Sequence, residues 1–226
     1  MPPKLNPCSL DPGKKFQTLT FILKVNSCKC LGVIIDETLS WTPHVEYVKT
    51  KVASKLGMLN RIRDCVPQSC LKTLFVSLVK PSLDYCSTVW GDRYISHNVI
   101  LNKCLKRAAR IILKCAFLTP SSEMFAKLNW LSFSEIVMYR KAVLVYKCIN
   151  KMGPLYMTNL FTPLTQIRET RQSTDLALRV PFAKKESYST SFAVKGAYIW
   201  NNLNAQLRAV NSLGSFKCEL RKTFIQ

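Results

Sequence analysis

From Thr42 onward the apolar residues of this chain fall at helical spacing, and prolines mark where one run stops and the next begins. Val45, Val48, Val52, Leu56 and Leu59 line one face of a first helix reaching about Arg63. Thr42 is predicted as its N-cap, with Pro43 in the first helical position, where a missing N–H is not missed. Pro67 opens a second helix with Leu71, Leu74, Phe75 and Leu78 on its stripe, and Pro81 is expected to stop it. A shorter piece, Ser82 to Trp90, ends at Gly91. A long helix is predicted from about Ser96 to Lys114, and Thr119-Pro120 starts a short one reaching Leu128. Ser132 and Glu135 have capping-box spacing ahead of a helix that runs to Met152 and meets Gly153-Pro154. Apolar residues lie on nearly every side of that helix, which predicts a central position.

Residues 162–190 break the pattern, with one candidate strand at Leu176–Val180 before Pro181. A last helical pair is predicted at Ser191–Leu203, where Phe192, Gly196 and Trp200 are four apart, and at Leu213–Phe224. Strand signals are confined to the beginning: Phe16–Val25, then a β-branched run over 30–35 closed by Asp36. Only 7 glycines in 226 residues argue against a turn-rich sandwich. The expected fold class is mainly α: a helical bundle with a small β edge of one or two strands at the N-terminus. Three stretches are expected, an N-terminal strand edge over 1–41, a bundle over 42–160, and a tail over 161–226 with a loop and helical pair packing on the bundle.

Charge narrows the choice of partner. Thirty-three Lys and Arg stand against 13 Asp and Glu, a net charge of +20 that is spread along the chain. An apolar-rich chain with that imbalance points to a polyanion, nucleic acid ahead of an anionic membrane surface, with a merely basic soluble protein as the plain alternative. No apolar run approaches the length of a membrane span, so no membrane partner is expected. The start, Met1-Pro2-Pro3-Lys4, leads into a polar stretch rather than an apolar leader. The 10 cysteines are irregularly spaced, and Cys70, Cys104 and Cys148 fall inside predicted helices as small apolar residues. Together these features predict a reduced, intracellular protein, nuclear or cytoplasmic. Cys28 and Cys30 are the one close pair, and His44 and His97 are isolated, so no metal site is expected.

One helix carries the charge on a single side. At about 100° per residue, Lys103, Lys106, Arg107, Arg110 and Lys114 fall within an arc of about 100°. Leu101, Leu105, Ala108 and Ile112 fall opposite. Five like charges at i, i+3 and i+4 spacing repel one another unless an anion lies against them. A solvated face, a membrane-surface helix and a phosphate-backbone contact all remain compatible with this stripe. The phosphate contact is favoured, because solvated faces usually mix signs and the apolar arc lacks aromatic anchors. Arg61 and Arg63, at the end of the first helix, are candidates for the same surface.

No catalytic constellation stands out. The six aspartates, at 11, 36, 64, 84, 92 and 175, include no adjacent pair, and no glycine-rich phosphate loop occurs. Asp84 and His44 are expected to be structural. No cofactor is expected.

LGVIIDETLSWTPHVEYV, residues 31–48, resembles the segment that follows the catalytic palm in reverse transcriptases of non-LTR retrotransposons, of the jockey and LINE-like clades. Gly32, Asp36, Trp41 and His44 carry that likeness. VKPSLDYCSTVWG at 79–91, with Trp90, and LNKCLKRAARIIL at 101–113 are similar to the family's next two motifs. TRQSTDLALRVP at 170–181 and SFAVKGAYIWNNLN at 191–204, with Trp200, resemble its tail. The family's (F/Y)-A-D-D motif, whose aspartates hold catalytic metal, has no counterpart in this sequence. The resemblance implies a last palm-edge strand handing over to a helical thumb, and hence a truncated polymerase not catalytic alone. It also implies that Lys103, Lys106, Arg107, Arg110 and Lys114 contact phosphates of an RNA–DNA hybrid, with the missing palm and fingers as a second partner. A helical protein–protein module, or a remnant with no nucleic-acid role, is the competing expectation.

Overall fold

The computed structural model describes residues 25–91, 93–164 and 176–225. The fold is mainly α-helical with a small two-stranded antiparallel sheet on its N-terminal side, as expected. β1 (Ser27–Cys30) and β2 (Val33–Asp36) pair from Ser27↔Asp36 to Cys30↔Val33. The single strand expected over 30–35 is therefore divided. Leu31 and Gly32 make a two-residue turn with φ of 46° and 84°, and a turn with both φ positive matches the twist of paired strands. The strand expected over 16–25 lies, but for Val25, outside the described residues.

Asp36 organises the step from sheet to helix. Its carboxylate accepts from Thr38 Oγ1 (2.5 Å), Ser40 N–H (2.9 Å) and Trp41 N–H (2.8 Å). Trp41 is drawn into a left-handed conformation, φ 63°, and becomes the residue preceding α1 (Thr42–Ile62). Thr42 is thus the first helical residue rather than the cap. Burial acts to raise the Asp36 carboxyl, but the hydrogen bonds from Thr38, Ser40 and Trp41 outweigh it and hold it far below the usual carboxylate range.

Pro81 does not stop the second helix. α2 (Gln68–Leu74) passes through a π-helical turn, Phe75–Val79, into α3 (Lys80–Asp84). Within that turn Lys80 N–H reaches back to Phe75 O. The buried residues are Leu71, Phe75, Val79 and Leu83, a constant spacing of four, and the expected Leu78 is exposed. In a regular α-helix that spacing drifts about 40° per step, and a widened turn removes the drift while making room for Pro81. The predicted piece from Ser82 to Trp90 is interrupted by Cys86, at φ 51°, before α4 (Ser87–Trp90).

α5 (Ile95–Leu113), α6 (Ser121–Leu128) and α7 (Phe133–Ile149) follow, then the short α8 (Leu155–Thr158) and α9 (Glu186–Ser189). The chain closes with α10 (Phe192–Asn201), the short α11 (Ala205–Arg208) and α12 (Leu213–Ile225). Residues 176–180 form no full strand. They make one antiparallel bridge, Pro163↔Leu178, and the Asn201 side chain both donates to and accepts from the Leu178 backbone at 2.8 Å.

Two apolar clusters share α7. Its first half, Phe133 and Val137, packs with Val33, α1, the α2–α3 segment, Trp90 and α5. Its second half, Ala142, Val145, Tyr146 and Cys148, packs with Phe161, Leu178, Trp200, Leu207, Phe216 and Leu220. The predicted capping box starts this helix, with Ser132 N–H donating to Glu135 Oε2 at 2.7 Å. Each cluster has a tryptophan whose Nε1–H is satisfied at 2.8 Å, Trp90 by Tyr85 O and Trp200 by Leu176 O. Arg93, its side chain only 7% exposed, ties the two halves by donating to Glu186 O and Thr190 Oγ1.

Candidate nucleic-acid interface

The basic stripe lies on α5, whose opposite face is buried through Leu101, Leu105, Ala108, Ile111 and Ile112. Lys103 and Arg107 are exposed, and Lys106 and Arg110 are half-buried. Lys114 is exposed but falls one residue beyond the helix, in a left-handed conformation at φ 53°. The five residues therefore share a side without being equivalent. None makes an ion pair with a described carboxylate. Arg110 rests its guanidinium over the Phe117 ring at 5.0 Å, and its Nε is buried without a partner among the described residues.

One hydrogen bond and one electrostatic neighbourhood show how α1 lies beside α5. Thr42 Oγ1 meets His97 Nε2 at 3.2 Å. Seven residues further along each helix, burial pushes the Cys104 thiol up while Lys49 and Arg107 draw it back. The constant offset means that the helices run in the same direction, which puts the α1 C-terminus at the Lys114 end. Arg61 there is exposed and without a described ion pair, whereas Arg63 is half-buried and bonded to Asp64 at 3.3 Å. Lys49 also joins this side, though it shares its charge with Glu46 at 3.0 Å.

A second basic group went unseen in the sequence. Lys29 on β1 and Lys51 on α1 lie over the Tyr47 ring at 5.3 and 5.8 Å. Lys55 donates to Leu78 O (2.6 Å) and Ser82 Oγ (2.7 Å) in the same groove. Burial lowers the Lys55 pKa, and the Lys51 charge lowers it further. The i, i+4 spacing of Lys51 and Lys55 was the available signal, but Lys29 joins them only through the hairpin's docking.

The remaining polar residues build the scaffold. Asp84 holds Lys80 and accepts from Arg140 Nη2 at 2.6 Å, locking α3 to α7. His44 is buried, accepts Ile34 N–H on Nδ1 at 3.2 Å and meets the Trp90 ring edge-on at 5.0 Å. Among the described residues no three His, Cys, Asp or Glu side chains gather as metal ligands. Nine described cysteines are free thiols, and Cys70 is exposed rather than packed. No described helix is long and apolar enough to cross a membrane.

Fold and surface define a basic, mainly helical bundle in which the α5 stripe carries no ion pair to a described carboxylate, while cations elsewhere, such as Lys80 and Arg140 on Asp84, are paired. In sequence the chain is distantly similar to the protein described as "Probable RNA-directed DNA polymerase from transposon X-element" of Drosophila melanogaster, at 25% identity over 115 residues. The match covers 49% of this chain and 13% of that protein, so the chain spans a small part of the relative's length. No family model and no solved structure matches the chain.

Proposed function

We propose that this chain is the post-palm, thumb-and-tail part of a non-LTR retrotransposon reverse transcriptase. In this role it holds the RNA–DNA template–primer duplex by its phosphates and is not catalytic alone. The observation that carries this reading is the α5 ridge, where Lys103, Arg107 and Lys114 are exposed with no described carboxylate against them. The likeness to a transposon polymerase supports it from sequence. Cations spaced along one helix neutralise successive phosphates and release counterions, which gives affinity without base reading. The hybrid's A-like grooves favour such backbone and shape contacts. Arg61 extends the ridge at the Lys114 end; the apolar faces of α1, α2 and α7 only build the bundle that presents it.

The test is fluorescence anisotropy of a labelled RNA–DNA hybrid over a salt series. It compares the wild-type chain with a variant carrying Lys103→Glu, Arg107→Glu and Lys114→Glu. These three are chosen because they are exposed, whereas Lys106 and Arg110 are partly packed. Affinity should fall steeply with salt, and the variant should lose most of it and flatten the log–log slope by about one unit per lost contact. Absent binding, or equal binding by the variant, would leave the ridge a solvated face and favour a helical protein-interaction module.

A further inference from the structure

The turn after α5 presents two apolar side chains to solvent at the end of the basic ridge. Thr119 N–H closes on Ala116 O at 3.2 Å, so Phe117 and Leu118 occupy the turn's two central positions. They are 79% and 89% exposed, among the most exposed large apolar residues described. Lys114, at φ 53°, redirects the chain where the helix ends. The turn thereby comes back over α5, and the Phe117 ring covers the Arg110 guanidinium at 5.0 Å. Arg110 lies at the middle of the basic arc, so the ring is on the ridge side of the helix.

Resting on the phosphate-binding reading above, we propose that Phe117 is a stacking platform for an unpaired nucleobase of the strand whose phosphates lie along Lys103, Arg107 and Lys114. One ring face is against Arg110, and the exposure leaves the other face open. A cationic track ending in an exposed aromatic ring is the combination that holds single-stranded nucleic acid: phosphates follow the charges, and every base has a face that can stack. Arg110 supports the ring by a cation–π contact and adds charge beside the strand. Leu118 widens the apolar tip. The ligand class is thus a nucleic acid with a single-stranded stretch at this end of α5.

The experiment uses the whole chain and two probes. One is a single strand of about 16 thymidylates, within known site sizes, interspersed with 2-aminopurine as a fluorescent base. The other is a blunt RNA–DNA hybrid. Phe117→Ala should weaken single-strand binding about 5- to 100-fold and leave both the hybrid affinity and the salt slope unchanged. Phe117→Tyr should retain binding, and Phe117→Leu, apolar without a ring, should fail as Phe117→Ala does. Stacking should quench 2-aminopurine with wild type and Phe117→Tyr only. If Phe117→Ala or Phe117→Leu binds the single strand like wild type, or 2-aminopurine is not quenched, the platform is refuted while hybrid binding still supports the phosphate reading. If wild type binds neither probe, both fall, and the apolar tip is better assigned to a protein partner.

Discussion

The imidazole of His44 accepts Ile34 N–H on Nδ1, which leaves its own proton on Nε2, buried with no partner among the described residues. Protonation would put a donor on Nδ1 facing another donor, and a charge where Lys29, Lys51 and Lys55 already line the adjoining groove. His97 has Nε2 against Thr42 Oγ1 and a buried Nδ1 that meets no partner among the described residues. Burial lowers the pKa of both histidines, and for His97 the nearby Glu46 and Asp36 oppose that only in part. Their folded values lie below the unfolded value of about 6.5, so the unfolded chain binds more protons between the two. Stability contributed by the neutral rings is complete above that pH, declines as pH falls toward the folded values, and then levels off. Melting should therefore occur at lower temperature at pH 5 than at pH 7, by about 2–4 °C per kcal/mol lost. A chain with His44→Gln and His97→Gln should show a flatter profile; an equally steep one would remove the histidines as the cause. Only position and residue type were legible beforehand for Gly32, Asp36, Trp41 and His44. The Asp36 bonds span two to five residues and follow from a tight turn, whereas the His44 bond to Ile34 needs the hairpin folded onto α1.

Two helical glycines make opposite predictions about how their helices are used. A Cβ on Gly196 would lie 2.9 Å from Val145 Cγ2 and 3.1 Å from the Phe161 ring, because α10 crosses α7 there. A Cβ on Gly57 in α1 meets nothing within 4 Å among the described residues. Gly196→Ala should destabilise, since overpacking at about 1–3 kcal/mol exceeds the gain of up to about 1 kcal/mol from better helix propensity. Gly57→Ala should stabilise by about 0.5–1 kcal/mol. Urea unfolding of both variants checks the pair, and a stabilising Gly196→Ala would mean that α10 stands off from α7. Helix crossings of this kind could be suspected from Phe192, Gly196 and Trp200 but not assigned a partner. The apolar part of the buried face of α1 was legible because five apolar residues keep one period, whereas the burial of His44 beside them was not. The α2–α3 segment was not, because Pro81 reads as a stop and nothing in its spacing announces a π-helical turn. The α5 stripe was legible as an arc, but Lys114 leaves the helix and Arg110 is half-covered by Phe117, both consequences of how the helix ends.

A net charge of +20 on a chain of 226 residues makes the whole molecule respond to salt in two opposing ways. Self-repulsion among unpaired cations destabilises the compact state, and added salt screens it, with a Debye length falling from about 10 Å at 0.1 M to about 3 Å at 1 M. The free protein should therefore melt at higher temperature as sodium chloride rises. A bound polyanion removes the same repulsion directly, and at a hundredfold excess over its Kd it stabilises by about 2.7 kcal/mol, or about 5–10 °C for a chain of this size. Salt weakens that binding by restoring the counterion atmosphere. The hybrid-induced rise in melting temperature should thus shrink between about 0.05 and 0.5 M salt while the free protein's melting temperature climbs, so the two curves converge. Thermal melts with and without an RNA–DNA hybrid test both halves together. A free protein that melts lower in high salt would mean that the basic ridges are already balanced by contacts within the chain. A hybrid shift that survives high salt would place the contact on apolar surface such as the Phe117–Leu118 turn, with the α5 cations contributing little.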